Sequence, residues 1–201
     1  MNYTNQAKVE GFLQRELTDY EATIFNDLVA SISSEIDSYT SRNWLDVGKT
    51  LSDLPDASVR YFDGNGGREI FIDDYASITS IEVQDDNGDA RRTYTESDDW
   101  YMLPANKPTK GSLRLRNYIF DEGVGNVAIT GVWSSGVLPA DVSMTATALV
   151  GKSLQKNKAL LEGMKSESIE GYSYTYLSPS DIDADNDKLW HSLDKYKKIV
   201  L

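Results

Sequence analysis

The residues best placed to do chemistry are carboxylates at alternate positions. Asp181-Ile-Asp-Ala-Asp-Asn-Asp187 begins like a calcium loop, in which oxygen ligands at every second position surround the cation. The rest of that loop is missing: no glycine stands at its sharp turn, Lys188 follows the acidic run, and Ser192 occupies the place of the bidentate Glu. Acid just ahead of a periodic apolar stretch instead favours a helix N-terminus, where the dipole stabilises negative charge. Asp85, Asn87 and Asp89 repeat the alternation, but Ala90 stands where the glycine belongs, and Asp86-Asn-Gly-Asp89 is a type I′ hairpin sequence.

Other constellations are as thin. The only imidazole, His191, sits beside Trp190 with no patterned nucleophile or second ligand. Gly64-Asn-Gly-Gly67 lacks the Lys-Ser/Thr and the following helix of a phosphate loop. Asp98 and Asp99 could imitate a glycosidase dyad, but with 32 acidic residues such pairs arise by chance. Trp100, Tyr101 and Tyr118 could stack on a sugar, which keeps a carbohydrate- or protein-binding β module as one alternative; a hydrolase using an Asp/Glu pair is the other. The first reading is no enzyme, no metal and no cofactor.

Two aromatic stretches point to contact rather than catalysis. Ser168-Ile-Glu-Gly-Tyr-Ser-Tyr-Thr-Tyr176 alternates tyrosine with small residues, as a strand with one adhesive face would. Tyr172, Tyr174 and Tyr176 could cover the protomer's own helices, or the segment could pair with a neighbour's sheet edge. Near the C-terminus, Trp190 and Tyr196 lie among Lys195, Lys197 and Lys198, which suits either packing onto the long helices or a second contact.

The elements that must position these residues follow from periodicity. Thr4 can cap a short helix through Leu13. Thr18 with Glu21 makes a capping box, and Ile24, Leu28, Ile32, Ile36 and Tyr39 continue a helix to about Arg42. Trp44 to Pro55 loses period and reads as a connector. Short β-branched or aromatic runs follow at 58–62, 68–72, 78–83, 112–116 and 126–130, with Asp63 to Gly67 and Asp86 to Asp89 as tight turns. Residues 91–111 fit either a hairpin or a long loop. Pro139 opens a second long helix to about Leu161, with Val142, Ala146, Leu149, Val150 and Leu154 as its stripe and Ala148 and Gly151 permitting close approach. A last helix follows Asp181, with Leu189, Leu193, Tyr196 and Val200 apolar. The expected fold is α+β: a bundle of long antiparallel helices with an inserted, small, mostly antiparallel β domain. The expected segments are 1–56, 57–134 and 135–201, the last with an extended tyrosine-rich stretch at 165–178.

Composition limits the partners. The 201 residues are 40% hydrophobic, enough for a sizeable core, and the formal charge of −12 opposes tight nucleic-acid binding. No cysteine is present, which excludes disulfides and thiolate chemistry and fits a reducing compartment. The N-terminal stretch lacks signal-peptide character and no run is long enough for a membrane span, so no export and no membrane partner are expected.

Two N-terminal helices, a β insertion, a strand ending in Gly-x-x-x-x-Gly-x-x-Pro (Gly131 to Pro139), a helix, and Ser-Glu-x-Ile-x-Gly-Tyr-Ser-Tyr (Ser166 to Tyr174) resemble the head-tail connector proteins of tailed phages. The resemblance spans nearly the whole chain. It implies a structural virion protein of the neck, assembled in the host cytoplasm as a ring, commonly of twelve copies. Such a ring docks under the portal, extends the DNA channel, and receives a stopper or tail-completion protein. DNA would pass without specific binding. On this reading the candidate contact residues are Glu167, Ile169, Tyr172, Tyr174, Tyr176, Trp190, Tyr196 and Lys197.

Overall fold

The computed structural model describes residues 2–85, 87–95, 98–107, 109–162, 166–169, 172–175 and 179–198, with the backbone alone between 157 and 184. The chain divides into a helical unit of Met1–Ser41, Asp46–Gly48 and Leu138–Lys198, and a sheet unit built mainly of Arg42–Leu45 and Lys49–Val137.

The helical unit contains α1 (Gln6–Leu13), α2 (Asp19–Thr40), α3 (Ala140–Glu162) and α4 (Pro179–His191). Asn5, rather than Thr4, caps α1, its side chain accepting from the Lys8 amide at 3.1 Å. Thr4 is buried instead, with its hydroxyl 2.7 Å from that of Thr147 on α3. The α2 capping box forms: the Glu21 amide donates to Thr18 Oγ1 at 3.3 Å and the Thr18 amide to Glu21 Oε2 at 2.9 Å. Glu21 is itself buried and forked by Arg15 at 2.7 and 2.6 Å, which holds its carboxyl down at about 2. Phe25, Val29, Ile32 and Ile36 of α2 and Val142, Ala146, Leu149, Val150 and Leu154 of α3 supply most of the buried apolar surface. Gly151 admits the Phe12 ring; a Cβ there would lie 2.5 Å from Phe12 Cδ1. On α2 the buried stripe is rotated from the expected one, because Phe25 and Val29 face inward and Ile24 and Leu28 are only half-buried.

The sheet unit is a six-stranded, wholly antiparallel sheet of β1 (Ser58–Gly64), β2 (Glu69–Gln84), β3 (Ala90–Tyr94), β4 (Trp100–Leu103), β5 (Lys110–Leu115) and β6 (Gly123–Trp133). The order is β1-β6-β2-β5-β4, with β3 also on β2. Alternation along the strands sends Ile70, Ile72, Ile81, Val83, Leu113, Leu115, Val127 and Ile129 to one face, where Tyr75, Tyr94, Trp100, Phe120 and Trp133 complete the core.

These observations correct the expected fold class. The molecule is not a bundle of long helices carrying a small β insertion. Among the described residues, two of the four α-helices have only 8 and 13 residues, and the sheet has a core of its own. The alternating face and five aromatics give the β segment a core of its own, and the chain divides into two compact units. The expected strands at 68–72 and 78–83 are one 16-residue strand, β2, whose register shifts absorb Asp73 to Ser77.

The turns differ too. Residues 63–67 do not close a hairpin, because β6 lies between β1 and β2. The β2–β3 loop is longer than a type I′ turn: the Asp85 side chain accepts from the Asn87 and Asp89 amides at 2.9 and 3.1 Å, and Gly88 takes φ +84°. Residues 91–111 supply β4, the end of β3 and the start of β5.

Within the sheet unit, residues 42–45 run beside 134–136, with the Ser135 amide donating to Asn43 O at 2.8 Å and the Leu45 amide to Gly136 O at 3.0 Å. Buried Asp74 accepts there from Arg42 at 2.5 Å and from the Ser135 hydroxyl at 2.6 Å.

Candidate assembly interface

The C-terminal candidates are held by the chain's own helices. The Trp190 ring, near the end of α4, lies 5.2 Å from the Tyr39 ring of α2. Tyr39 donates to Asp194 at 2.7 Å, Lys197 Nζ is 2.8 Å from the same carboxylate, and His191 Nδ1 approaches it at 3.2 Å. The Lys197 ammonium, followed by the Tyr39 hydroxyl, pushes the Asp194 carboxyl far below the usual range. Lys197 Nζ also sits 3.9 Å over the Tyr39 ring. Tyr196 donates to both oxygens of Asp141, at 2.7 and 2.9 Å, and burial with that carboxylate pushes the phenol up to about 12. Asp141, in the first turn of α3, also receives Lys195 at 2.5 Å. Its carboxyl stays low despite the cost of partial burial because Lys195 and Tyr196 bond to it. The Lys198 amide adds a bond to Thr40 O at 2.9 Å.

The tyrosine-rich stretch forms two strands where one was expected. Glu167 and Ile169 lie on β7 (Ser166–Ile169), and Tyr172 and Tyr174 on β8 (Tyr172–Thr175). The register pairs Glu167 with Tyr174 and Ile169 with Tyr172, so these four positions share one face of a two-stranded sheet separate from the six-stranded one. Tyr176 lies outside the described residues. The structure thus groups the candidates in two sets: four on the hairpin, and Trp190, Tyr196 and Lys197 in the C-terminal corner.

Periodicity alone missed Tyr39, Asp141 and Asp194 as the organisers of that corner. Tyr39 read as an apolar stripe residue, and only a phenol at the end of that stripe hinted at a polar partner.

The sheet unit offers a second kind of surface. Pairing of Glu69 with Arg114, Arg114 with Tyr101, and Phe71 with Ser112 places Phe71, Tyr101 and Arg114 on one face. Phe71 is 54% and Tyr101 46% exposed. The Arg116 guanidinium stacks 4.3 Å from the Tyr101 ring centroid. Trp100 is buried in the core, and Tyr118 packs against Tyr94 under Arg92, so Trp100, Tyr101 and Tyr118 do not form a joint sugar-stacking surface. Asp185 of the acidic run is paired with Lys152 and Lys188, both at 3.1 Å. Among the described residues, no three His, Cys, Asp or Glu side chains are grouped to hold a metal, and no helix is long and apolar enough to cross a membrane.

The sequence matches no protein-family model and no curated protein. Among solved structures it is similar to a chain from the neck of a native GTA particle computed with C12 symmetry, at 12% identity over 90% of each chain with a TM-score of 0.47. A match that loose sets neither the fold nor the function. Both surfaces combine aromatic rings with charged tips, a composition suited to half-wet contacts between proteins.

Proposed function

We propose that this chain is a structural protein of a phage-type neck: a head-tail connector that forms a ring beneath a portal, extends the DNA channel, and carries the docking surface for the next neck or tail protein. The supporting observation is the order of elements. Two helices, a sheet whose last strand runs into the Gly131 to Pro139 turn, a long helix, the paired strands β7 and β8, and a final helix follow in the order on which the sequence resemblance rests.

On this reading the hairpin positions Glu167, Ile169, Tyr172 and Tyr174 contact the portal or a neighbouring copy. An isolated two-stranded hairpin is marginal in water and gains stability from a partner surface. Trp190, Tyr196 and Lys197 brace the α4 end of the same contact. The charge of −12 per copy suits a channel that passes DNA without retaining it.

The deciding experiment is the native mass of the purified protein alone and with the portal of its own particle. A ring near twelve copies on the portal is expected; a chain that stays monomeric and ignores the portal overturns the proposal. Replacing both Tyr172 and Tyr174 by Ala should abolish portal binding while circular dichroism stays unchanged. Undiminished binding by that variant removes the hairpin from the contact.

A further inference from the structure

We propose that the sheet face bearing Phe71, Tyr101, Arg114 and Arg116 receives the outer face of α2 from a second copy of this chain. The inference rests on the ring reading and names the two surfaces that meet.

The sheet face has the makings of an interface centre. Exposed Phe71 and Tyr101 lie beside two arginines, and aromatic and Arg side chains are the types enriched where protein contacts carry most energy. Among the described residues the positive charge is poorly answered. Among the described residues no carboxylate lies within ion-pair distance of Arg114; Glu69, directly opposite, accepts from the Ser112 hydroxyl at 2.8 Å. Among the described residues Arg116 reaches one carboxylate, Asp98 at 3.6 Å, and its buried Nε has no hydrogen-bond partner.

The counterpart is α2. Over Asp19–Thr40 it carries five carboxylates and no Lys or Arg. Arg15 and Tyr3 engage two of them, Glu21 and Asp37. Asp19, Asp27 and Glu35 are exposed and have no cationic partner among the described residues. Helical spacing places Tyr20, Asp27, Ser31, Ser34 and Ser38 along one outer stripe, flanked by Glu35. The small serines let a sheet face approach closely. Asp27 and Glu35 are about 12 Å apart along the axis, a span that Arg114 and Arg116, about 7 Å apart along their strand, reach with extended side chains.

The charges decide the occupant and the geometry. Sheet face on sheet face would set arginine against arginine, and α2 on α2 would set acid against acid. Sheet face on α2 pairs opposite signs through two different patches of one chain, the head-to-tail arrangement that closes into a ring.

A photo-crosslinking experiment tests this. Phe71 is replaced by p-benzoylphenylalanine in the full chain, irradiated in 50 mM salt alone and with portal, and the covalent dimer is mapped by mass spectrometry. The crosslink is expected within residues 19–40 of the other copy. R114E/R116E should lower its yield at least tenfold with an unchanged melting curve, and adding D27R/E35R to that chain should restore it to within threefold of the starting level. A crosslink to another segment, no covalent dimer, or a four-substitution chain that stays uncoupled overturns the proposed surfaces. A ring that forms on the portal in spite of such results leaves the connector reading standing; absence of any ring removes both.

Discussion

The C-terminal corner and the open sheet face both display tyrosine and basic side chains, yet they use them differently. In the corner each polar tip has an internal partner: Tyr39 and Lys197 hold Asp194, while Tyr196 and Lys195 hold Asp141. On the sheet, Tyr101 lies under Arg116 and Arg114 has no carboxylate among the described residues. A charged aromatic segment can thus be braced from within the protomer, whereas the open sheet face is recognised by what its cations lack. Substitutions in this internal clasp should change stability, and those on the sheet face should change association only.

The largest effect should come from a fully internal charge. Asp74→Ala leaves Arg42 without this carboxylate and the Ser135 hydroxyl without its acceptor, and should cost about 3–5 kcal/mol in urea unfolding. A loss below 1 kcal/mol would mean that buried polar groups in the sheet unit matter no more than exposed ones.

Next comes Glu21. Its folded carboxyl sits at about 2 against an ordinary 4.5, so it contributes stability above pH 4.5 that is lost as pH falls toward 2. Glu21→Gln should remove about 2–3 kcal/mol at pH 7 and almost nothing at pH 2. Asp37 works in the opposite sense. Burial pushes its carboxyl up to about 6, against the pull of the Tyr3 hydroxyl, so its contribution improves as pH falls from 6 toward 4. Unfolding curves between pH 7 and pH 4 for Asp37→Asn should be flatter than for the parent chain.

The clasp is tested more gently by Tyr196→Phe, which removes the one hydroxyl proton shared by the two oxygens of Asp141 and should cost about 1 kcal/mol. The smallest stability change, within about 0.5 kcal/mol, is expected for Tyr101→Ser on the sheet face, with self-association weakened all the same. A Tyr101→Ser chain that melts like a core variant would break the contrast between the two regions.

Much of the helical unit was legible because its signals are local. Thr18 and Glu21 announce a helix start within four residues, and Pro139 with Val142, Ala146 and Leu149 announces another. The sheet was legible only in pieces. Alternation marks Ile70 and Ile72 or Val127 and Ile129 as strand residues, but nothing local says that β6 enters between β1 and β2, since that depends on pairs as distant as Ser58 with Gly131 and Val83 with Val127. The merging of two short runs into β2 was hidden because register shifts break the alternation across Asp73 to Ser77. The clasp was half visible: Trp190, Tyr196 and Lys197 stand out, whereas their partners Tyr39 and Asp141 lie on other helices and look like ordinary stripe and first-turn residues. The sheet face left almost no mark, because Phe71 and Arg114 become neighbours only through the register of β2 with β5.

The late arrival of β6 has a consequence for how the chain is made. While a ribosome is still adding residues before Gly123, β1 has no pairing partner and one side of β2 over Tyr75–Val83 is open, so an apolar nascent strand waits in solution. The helical unit waits as well, since Thr4 and Phe12 meet their partners on α3. Neither body can be finished from the first half of the message, and a chain stopped short of Trp133 would offer its bare strand edges to other chains rather than to itself.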